Sequence, residues 1–248
     1  MVFKKNKKSV VKENKEELKI DYENLPAHIG FIMDGNRRWA RKRGLPTLAG
    51  HREGAEALKR IVKRASEIGI VNLSFFCFSI ENFKRSKEEV DYLFKLINEI
   101  LDLVPDLIKI GYKFHHSGDK SLLPKETQEQ IEKIEEKTKD CNKGVLNLLI
   151  AYGGRHDIVC ATKKIIEQNV KAEDITEETF KNFLTTSPLP DLDLLVRTSG
   201  EHRISGFMLY DMAYAEIYFV NKHWPDFKGS DLDDCVIEFQ KRNRRFGK

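Results

Sequence analysis

The sequence predicts an α/β fold: a single domain with a central, largely parallel six-stranded sheet flanked by helices. Three observations predict it. Strand-like apolar runs alternate with helix-like periodicity along the chain. Several of those runs are too uniformly apolar for a half-exposed sheet, and strands covered on both faces are typical of parallel α/β sheets. The polar clusters fall just after the strands, where ligands of such sheets bind.

The strands are read in order as His28 to Met33, Val71 to Phe78, Tyr112 to Ser117, Val145 to Ala151, Leu192 to Val196 and Ala215 to Val220. Their Ile, Val, Phe and Leu content suits a buried pleat. Helices fill the gaps. Leu58, Ile61, Val62, Ala65 and Ile68 form one apolar stripe, and Val90 through Val104 forms another. Residues 125 to 139 are helical in pattern but polar apart from Ile131 and Ile134, so this helix is expected to be exposed. Ile158 to Glu167, Glu177 to Leu184 and residues 231 to 243 complete the set, the last after a Trp224-Pro225-Asp226 break. Right-handed connections then place helices on both faces.

The 248 residues and 40% apolar content support one large core, from residue 21 to residue 248, preceded by a flexible basic arm over residues 1 to 20. The arm carries Lys4, Lys5, Lys7, Lys8, Lys12 and Lys15 with no apolar stretch behind them, so it is not a signal peptide. A solvated tail or a weak tether to anionic lipid are its two readings. No run is long enough to span a bilayer. A net charge of +4 is too small to argue for nucleic acid and is compatible with an anionic substrate. The cysteines Cys77, Cys141, Cys160 and Cys235 form no Cys-x-x-Cys pair, which argues against a zinc ribbon or a redox motif and fits reduced cytoplasmic thiols.

Four clusters can carry chemistry. The first is Asp34-Gly35-Asn36-Arg37-Arg38-Trp39. An acid at a strand end suits a hard divalent cation, and arginines with open N–H groups at a helix start suit phosphate. A plain Asp-Gly turn with solvated arginines is the alternative. The second runs from Ser79 to Ser86, through Ile80, Glu81, Asn82, Phe83 and Arg85. Ser86 and Glu89 read as a capping box, which leaves Glu81, Asn82 and Arg85 unexplained by the helix start. The third, Arg197 to Ser205, holds Arg203 and Ile204 and makes an anion cradle or a salt-bridged loop. In the fourth, Glu216 lies in an apolar strand and must be paired, hold a metal or point outward. His51 stands at a helix start, as a phosphate donor or a structural histidine.

Together these blocks, with Gly50-His51, Tyr152-Gly153-Gly154-Arg155 and Trp224 to Phe227, resemble the cis-prenyltransferases, the undecaprenyl diphosphate synthase family, over about residues 26 to 247. The resemblance implies a homodimeric, cytoplasmic, Mg²⁺-dependent transferase, with peripheral contact at the inner face of the membrane for product release. It implies cis condensation of isopentenyl diphosphate onto an allylic diphosphate, usually farnesyl diphosphate, with undecaprenyl diphosphate as the expected product. A shorter, dolichol-like or branched product, or a non-catalytic partner subunit, are the alternatives. By the same resemblance Asp34 and Glu216 hold the metal, and Gly35, Asn36, Arg37, Arg38 and His51 cradle the allylic diphosphate beside Trp39. Ser79, Ile80, Glu81, Phe83 and Arg85 line the site, and Asn82 is the position assigned to proton removal. Arg197, Arg203, Ile204 and Ser205 resemble the isopentenyl diphosphate site, and Arg245-Phe246-Gly247 an Arg-x-Gly that completes the site across the dimer. An amide is a poor base, so a diphosphate oxygen or a water is the better proton acceptor, with Asn82 orienting it.

The chain departs from the family pattern at Thr47, where many members have arginine, at Phe83 for tryptophan, at Gly206 for asparagine, and at Tyr210-Asp211 for Trp-Gln. None of these removes the acid or the arginine pairs. The helix Val90 to Val104, with Phe75 to Phe78 and Leu146 to Ile150, is the expected wall of an apolar product channel or ordinary core.

Overall fold

The computed structural model describes residues 19–102 and 104–242. Among these, six strands form one sheet: β1 (His28–Ile32), β2 (Asn72–Ser79), β3 (Tyr112–Ser117), β4 (Gly144–Tyr152), β5 (Leu194–Arg197) and β6 (Glu216–Phe219). Their order is β3-β4-β2-β1-β5-β6, and every pairing is parallel. Each predicted strand is present, with ends moved by one or two residues. The helices are α1 (Asn36–Lys42), α2 (Thr47–Ile68), α3 (Lys87–Leu101), α4 (Val104–Ile110), α5 (Lys125–Thr138), α6 (Gly154–Glu167), α7 (Glu177–Lys181) and α8 (Gly229–Gln240). The apolar stripe expected to run unbroken from Val90 is divided between α3 and α4. The helix expected over Glu177 to Leu184 stops at Lys181.

Side chains alternate across the sheet, and the two faces are covered unequally. Ile29, Phe31, Phe75, Leu194 and Val196 face the larger core, against Leu58, Ile61 and Ala65 of α2, Leu93 and Phe94 of α3, and Leu232 and Val236 of α8. Phe31 and Phe75 stack at 4.8 Å and lie beside the fully buried Trp224. The opposite face buries Ile32, Leu149, Leu192 and Leu195 against Phe207, Met208 and Met212. α5 is one-sided as its sequence implies, burying Ile131 and Ile134 with Thr127 and Thr138.

One buried feature is not apolar. His28 Nε2 meets Ser74 Oγ at 2.7 Å, Asn147 Nδ2 donates to the same oxygen at 3.0 Å, and Ser117 Oγ donates to Asn147 Oδ1 at 2.9 Å. This row links β1, β2, β4 and β3. Because buried polar atoms demand partners, the row penalises slippage of any of these strands. Burial lowers the His28 pKa to about 4, so the ring is neutral at physiological pH.

The chain passes from β1 to β2, skips a position to the edge strand β3, returns to β4 between them, and then crosses to β5 and β6 on the other side of β1. The direction reverses between β1 and β5, and the crevice outside that point is where such sheets bind ligands. Ile20 packs on the core, while the rest of the basic arm, through residue 18, lies outside the described residues. No helix among the described residues is long and apolar enough to cross a membrane.

Candidate active site

The site begins where β1 and β5 end side by side. Ile32 pairs with Arg197 in the ladder, so the residues that follow Ile32 emerge beside the Arg197 side chain. Arg197 is buried, and its Nη2 donates to Asp34 Oδ2 at 2.9 Å. Asp34 Oδ1 accepts from the Gly35 N–H at 2.7 Å and pairs with Arg38 Nη2 at 3.1 Å. Burial works to raise the Asp34 pKa, but the Arg197 hydrogen bond, the Arg197 and Arg38 charges and the Gly35 N–H outweigh it. The carboxyl is therefore held below its ordinary value and stays ionised.

Gly35 is required by geometry. Its φ is +104°, and a Cβ there would come within 2.7 Å of Ser199 Oγ and 2.8 Å of His223 Nδ1. The left-handed turn starts α1 directly after the acid. Arg37 and Arg38 then lie on the first turn of that helix. Arg38 also reaches Glu201 at 2.5 Å, which links it to the β5 loop. Arg37 is exposed and has no ion pair among the described residues, yet its charge is felt at both His51 and Arg85. It is thus an uncommitted cation close to both of those groups. Asn36 is partly buried under α2, and Gly50 and Gly54 allow this approach. A Cβ on Gly50 would lie 2.1 Å from the Asn36 carbonyl oxygen. Trp39 turns elsewhere: its Nε1 donates to Asp226 at 2.8 Å and Arg43 covers its ring at 4.2 Å. The structure does not bring Trp39 to the cavity; it fastens α1 to the Trp224–Asp226 turn.

The second cluster leaves β2 as a 3-10 turn, Ile80–Lys84, ahead of α3. Asn82 Oδ1 accepts from the Ser79 N–H at 3.2 Å. That bond fixes which end of the amide is oxygen and presents the NH₂ group as a donor. Asn82 lines the cavity with that amide end available to donate. Phe83 packs edge-on against Phe78 at 4.8 Å and near Phe94, capping an apolar cluster. Half of the expected capping box forms, since Ser86 Oγ accepts from the Glu89 N–H at 3.3 Å. The Glu89 side chain goes elsewhere. Its Oε1 lies 3.3 Å from His51 Nε2 and 3.1 Å from Arg85 Nη1. Glu89 thus joins α2 to the β2 exit and aims two candidate diphosphate donors. Sequence reading missed this role because the helix start already explained the residue. Burial lowers the His51 pKa, the Arg85 charge adds to this, and Glu89 opposes both.

After β5, Arg197 Nη1 donates to the Arg203 carbonyl and to Ser205 Oγ, the latter at 2.9 Å. Ser199 and Ser205 both hold positive φ, of 77° and 49°, uncommon for residues with a Cβ. The loop is curled over the buried arginine, and the Arg197 Nε has no partner of its own. Gly206 accepts the Gly154 N–H at 2.8 Å and so joins this loop to α6.

These three exits share one cavity of about 860 Å³. Asp34, Ser79, Ile80, Glu81, Asn82 and Arg85 line one side, and Arg203, Ile204 and Ser205 the other. Gly153 to His156, at the end of β4, form its floor. A second, narrow pocket of about 60 Å³ lies between α2, α3 and β2. His51 and Asn36 stand at its polar end, and Ala55, Cys77, Leu96 and Ile97 line its apolar part. Of the expected channel, α3 and Cys77 contribute; Leu146 to Ile150 do not, because they belong to the sheet core.

One expected group is not brought together with Asp34 among the described residues. Glu216 opens β6 level with Leu194, which is level with Ile29, so it lies at the amino end of the sheet. That is three residues, roughly 10 Å, behind the strand tips. Arg242 Nη1 holds its Oε2 at 2.9 Å. Arg245 and Gly247 lie outside the described residues. Of the departures, Asp211 is buried against Thr186 Oγ1 at 2.9 Å, and Tyr210 donates to the Glu177 carbonyl, so both act in packing.

An ionised acid, several arginines and hydrogen-bond donors around one strand-end cavity define a class of protein whose site suits anionic, phosphate-type ligands. Comparison with known proteins narrows the class. The prenyltransferase family model described as "Putative undecaprenyl diphosphate synthase" matches residues 32–247. An isoprenyl transferase from Oceanobacillus iheyensis is 44% identical over 241 residues, covering 95% of this chain and 96% of the relative. Another, from Listeria monocytogenes, is 45% identical over 228 residues, covering 90% of each. Among solved structures, lavandulyl diphosphate synthase from Lavandula x intermedia, in complex with dimethylallyl diphosphate, superposes with a TM-score of 0.87 at 37% identity. It covers 90% of this chain and 99% of its own. A structure titled a probable undecaprenyl diphosphate synthase from Campylobacter jejuni gives 0.77 at 34%, covering 91% and 100%. The chain belongs to the undecaprenyl diphosphate synthase family of isoprenyl transferases, whose reaction is cis-prenyl chain elongation.

Proposed function

We propose that this protein is a magnesium-dependent cis-prenyltransferase. It condenses isopentenyl diphosphate onto an allylic diphosphate, with farnesyl diphosphate as primer and undecaprenyl diphosphate as product. The observation that carries this reading is the shared cavity, in which Asp34, Asn82 and Arg85 face Arg203 and Ser205. Magnesium fits the donor set: one ionised carboxylate opening on a cavity, with diphosphate oxygens to complete the shell. Bound there by Asp34, it would neutralise charge that moves onto the departing diphosphate.

The protein's own groups divide the remaining work. Arg85 lines the cavity, Arg38 pairs with the Asp34 that also lines it, and Arg37 and His51 lie close to Arg85, so this group suits the allylic diphosphate. Donors already in place stabilise the charge that grows on a leaving group without reorganising. Arg203 and Ser205, on the β5 loop, suit the second diphosphate. The Asn82 NH₂ holds an oxygen between the two, and a diphosphate oxygen or water takes the proton. The apolar chain grows between α2 and α3, where each buried methylene contributes roughly 0.8 kcal/mol. A pocket of about 60 Å³ cannot hold a polyprenyl chain, so the helices part as it lengthens. The catalytic unit is a homodimer with peripheral contact at the membrane, where so apolar a product is delivered.

That same narrow pocket, with the likeness to lavandulyl diphosphate synthase, favours a second reading in which the product is short. One assay separates the two. Purified protein is incubated with Mg²⁺, labelled isopentenyl diphosphate and a set of allylic primers, and product length is read by mass spectrometry. Long cis-polyprenyl diphosphates support the first reading, and products of one or two condensations the second. No condensation with any primer would sink both.

A further inference from the structure

Beside the transferase cavity lies another, of about 540 Å³, bounded by the β3 exit, α5 and α6. Gly153 and His156 line both, so they form the wall between them. On this wall Asp119, His156 and Cys160 each present one ligand atom, all within 4.8 Å of one another. His156 and Cys160 are four residues apart on α6 and so share a face of that helix. Asp119 arrives from the turn after β3.

The arrangement excludes a nucleophilic relay. A Cys-His-Asp triad uses both imidazole nitrogens, one taking the thiol proton and the other donating its N–H to the acid, which stays ionised. Here a single nitrogen faces both: His156 Nε2 lies 3.1 Å from Asp119 Oδ2 and 3.3 Å from Cys160 Sγ. Three donors converging on one point instead match a metal site. Zinc bonds of about 2.0 to 2.3 Å at tetrahedral angles separate ligand atoms by about 3.3 to 3.6 Å, close to these spacings. The neighbouring groups are committed elsewhere. Glu135 holds Lys120 at 2.9 Å, Asp157 accepts the Thr185 N–H at 3.0 Å, and the His115 and His116 rings bond backbone carbonyls. The fourth position therefore opens on the cavity and on water.

We propose that Asp119, His156 and Cys160 form a three-ligand site for a zinc-class transition-metal ion, separate from the magnesium site. Thiolate and imidazole select zinc over magnesium, so the two ions do not compete for the same ligands. The open coordination position leaves room for a water or another small ligand. When bound, it ties the β3 exit to the start of α6, the segment that floors the transferase cavity.

The test uses the intact protein with Mg²⁺ in excess, titrated with Co²⁺. One equivalent should produce a thiolate-to-cobalt charge-transfer band, and Zn²⁺ should bleach it. Cys160→Ser should abolish the band, whereas Cys141→Ser should retain it. Asp119→Asn should keep the band but weaken affinity by more than the roughly 10- to 100-fold that a lost outer partner costs. Zn²⁺ should also raise the Tm of the parent protein, and less so that of Asp119→Asn. Absence of the band, or its survival in Cys160→Ser, overturns the proposal. So does an equal Tm rise in the parent and Asp119→Asn.

Discussion

Arg197 Nη2 donates to Asp34 Oδ2 at 2.9 Å, joining residues 163 positions apart at the tips of two adjacent parallel strands. The guanidinium is buried and the carboxylate is partly open to the cavity. The pair therefore holds the acid ionised and aimed, and also keeps a buried cation neutralised.

Its removal should affect both stability and chemistry. Asp34→Ala leaves the Arg197 charge buried without its partner. A fully buried pair broken this way costs about 3–5 kcal/mol, and the open side of Asp34 reduces that to about 2–3 kcal/mol. Asp34→Asn retains the shape and a hydrogen bond. We expect it to stay folded by circular dichroism and urea titration, while turnover falls about 10²- to 10³-fold at saturating Mg²⁺. Near-normal turnover in Asp34→Asn would remove the metal role.

Arg203 tests the isopentenyl site more cleanly than Arg197. Its side chain is 60% exposed and its ion pair is with Glu201. Arg203→Ala should leave the urea midpoint unchanged and raise the KM for isopentenyl diphosphate about tenfold or more. Arg197→Ala should disturb both substrates, because it releases Asp34 as well. If Arg203→Ala raises only the allylic KM, the assignment of the two ends is reversed.

Glu89→Gln should loosen His51 and Arg85 together. The carboxylate favours the protonated form of His51, so its loss should lower a pKa that burial already holds below 6.5. Nuclear magnetic resonance titration of the ring reads this directly. The KM for the allylic substrate should rise more than that for isopentenyl diphosphate. An upward His51 shift would mean that the Glu89 contact is not an ionic one.

Ala55 lines the narrow apolar pocket from α2 and is only partly buried. Ala55→Leu should therefore fill the pocket with little strain on folding. Mass spectrometry should show the product distribution moving to shorter chains, with the rate of the first condensation preserved. An unchanged distribution would place the growing chain elsewhere.

Asp211 predicts a pH-dependent stability. Burial raises its pKa from 3.8 to about 6, against the opposing Thr186 hydrogen bond and Lys181 charge. The folded state therefore holds a proton that the unfolded chain releases. The stabilisation is full below about pH 4 and is lost as pH rises through 6. Asp211→Asn should match the parent near pH 4 and exceed it by about 2–3 kcal/mol near pH 8 in urea denaturation. A difference that does not grow with pH would show the acid already neutral or fully compensated.

Much of this molecule was readable in one dimension. Apolar-rich runs located the six strands, most plainly the four central ones, whose burial on both faces leaves little polar alternation, whereas the edge strands β3 and β6 are more polar and less buried. Breaks in those runs located Asp34, Ser79 to Arg85 and Arg197 to Ser205, because polar residues collect where strands meet solvent. Other features were not readable. Glu89 looked like a helix cap, and its bridge from His51 to Arg85 depends on how α2 packs on α3. Trp39, adjacent to the arginines in sequence, turns to Asp226 because a helical turn separates the faces of neighbouring residues. The placement of Glu216 behind the strand tips follows from the register of β6, which residue type does not encode.

Residue order was enough to set the class of fold, the approximate strand ends and the stock of acids, arginines and glycines, because periodicity and charge are local properties. Folding in three dimensions settled which of those groups share a cavity, which nitrogen of His156 faces Cys160, and which arginine is buried. Those outcomes depend on strand order and helix packing, where residues far apart in the chain compete for the same few ångströms of space.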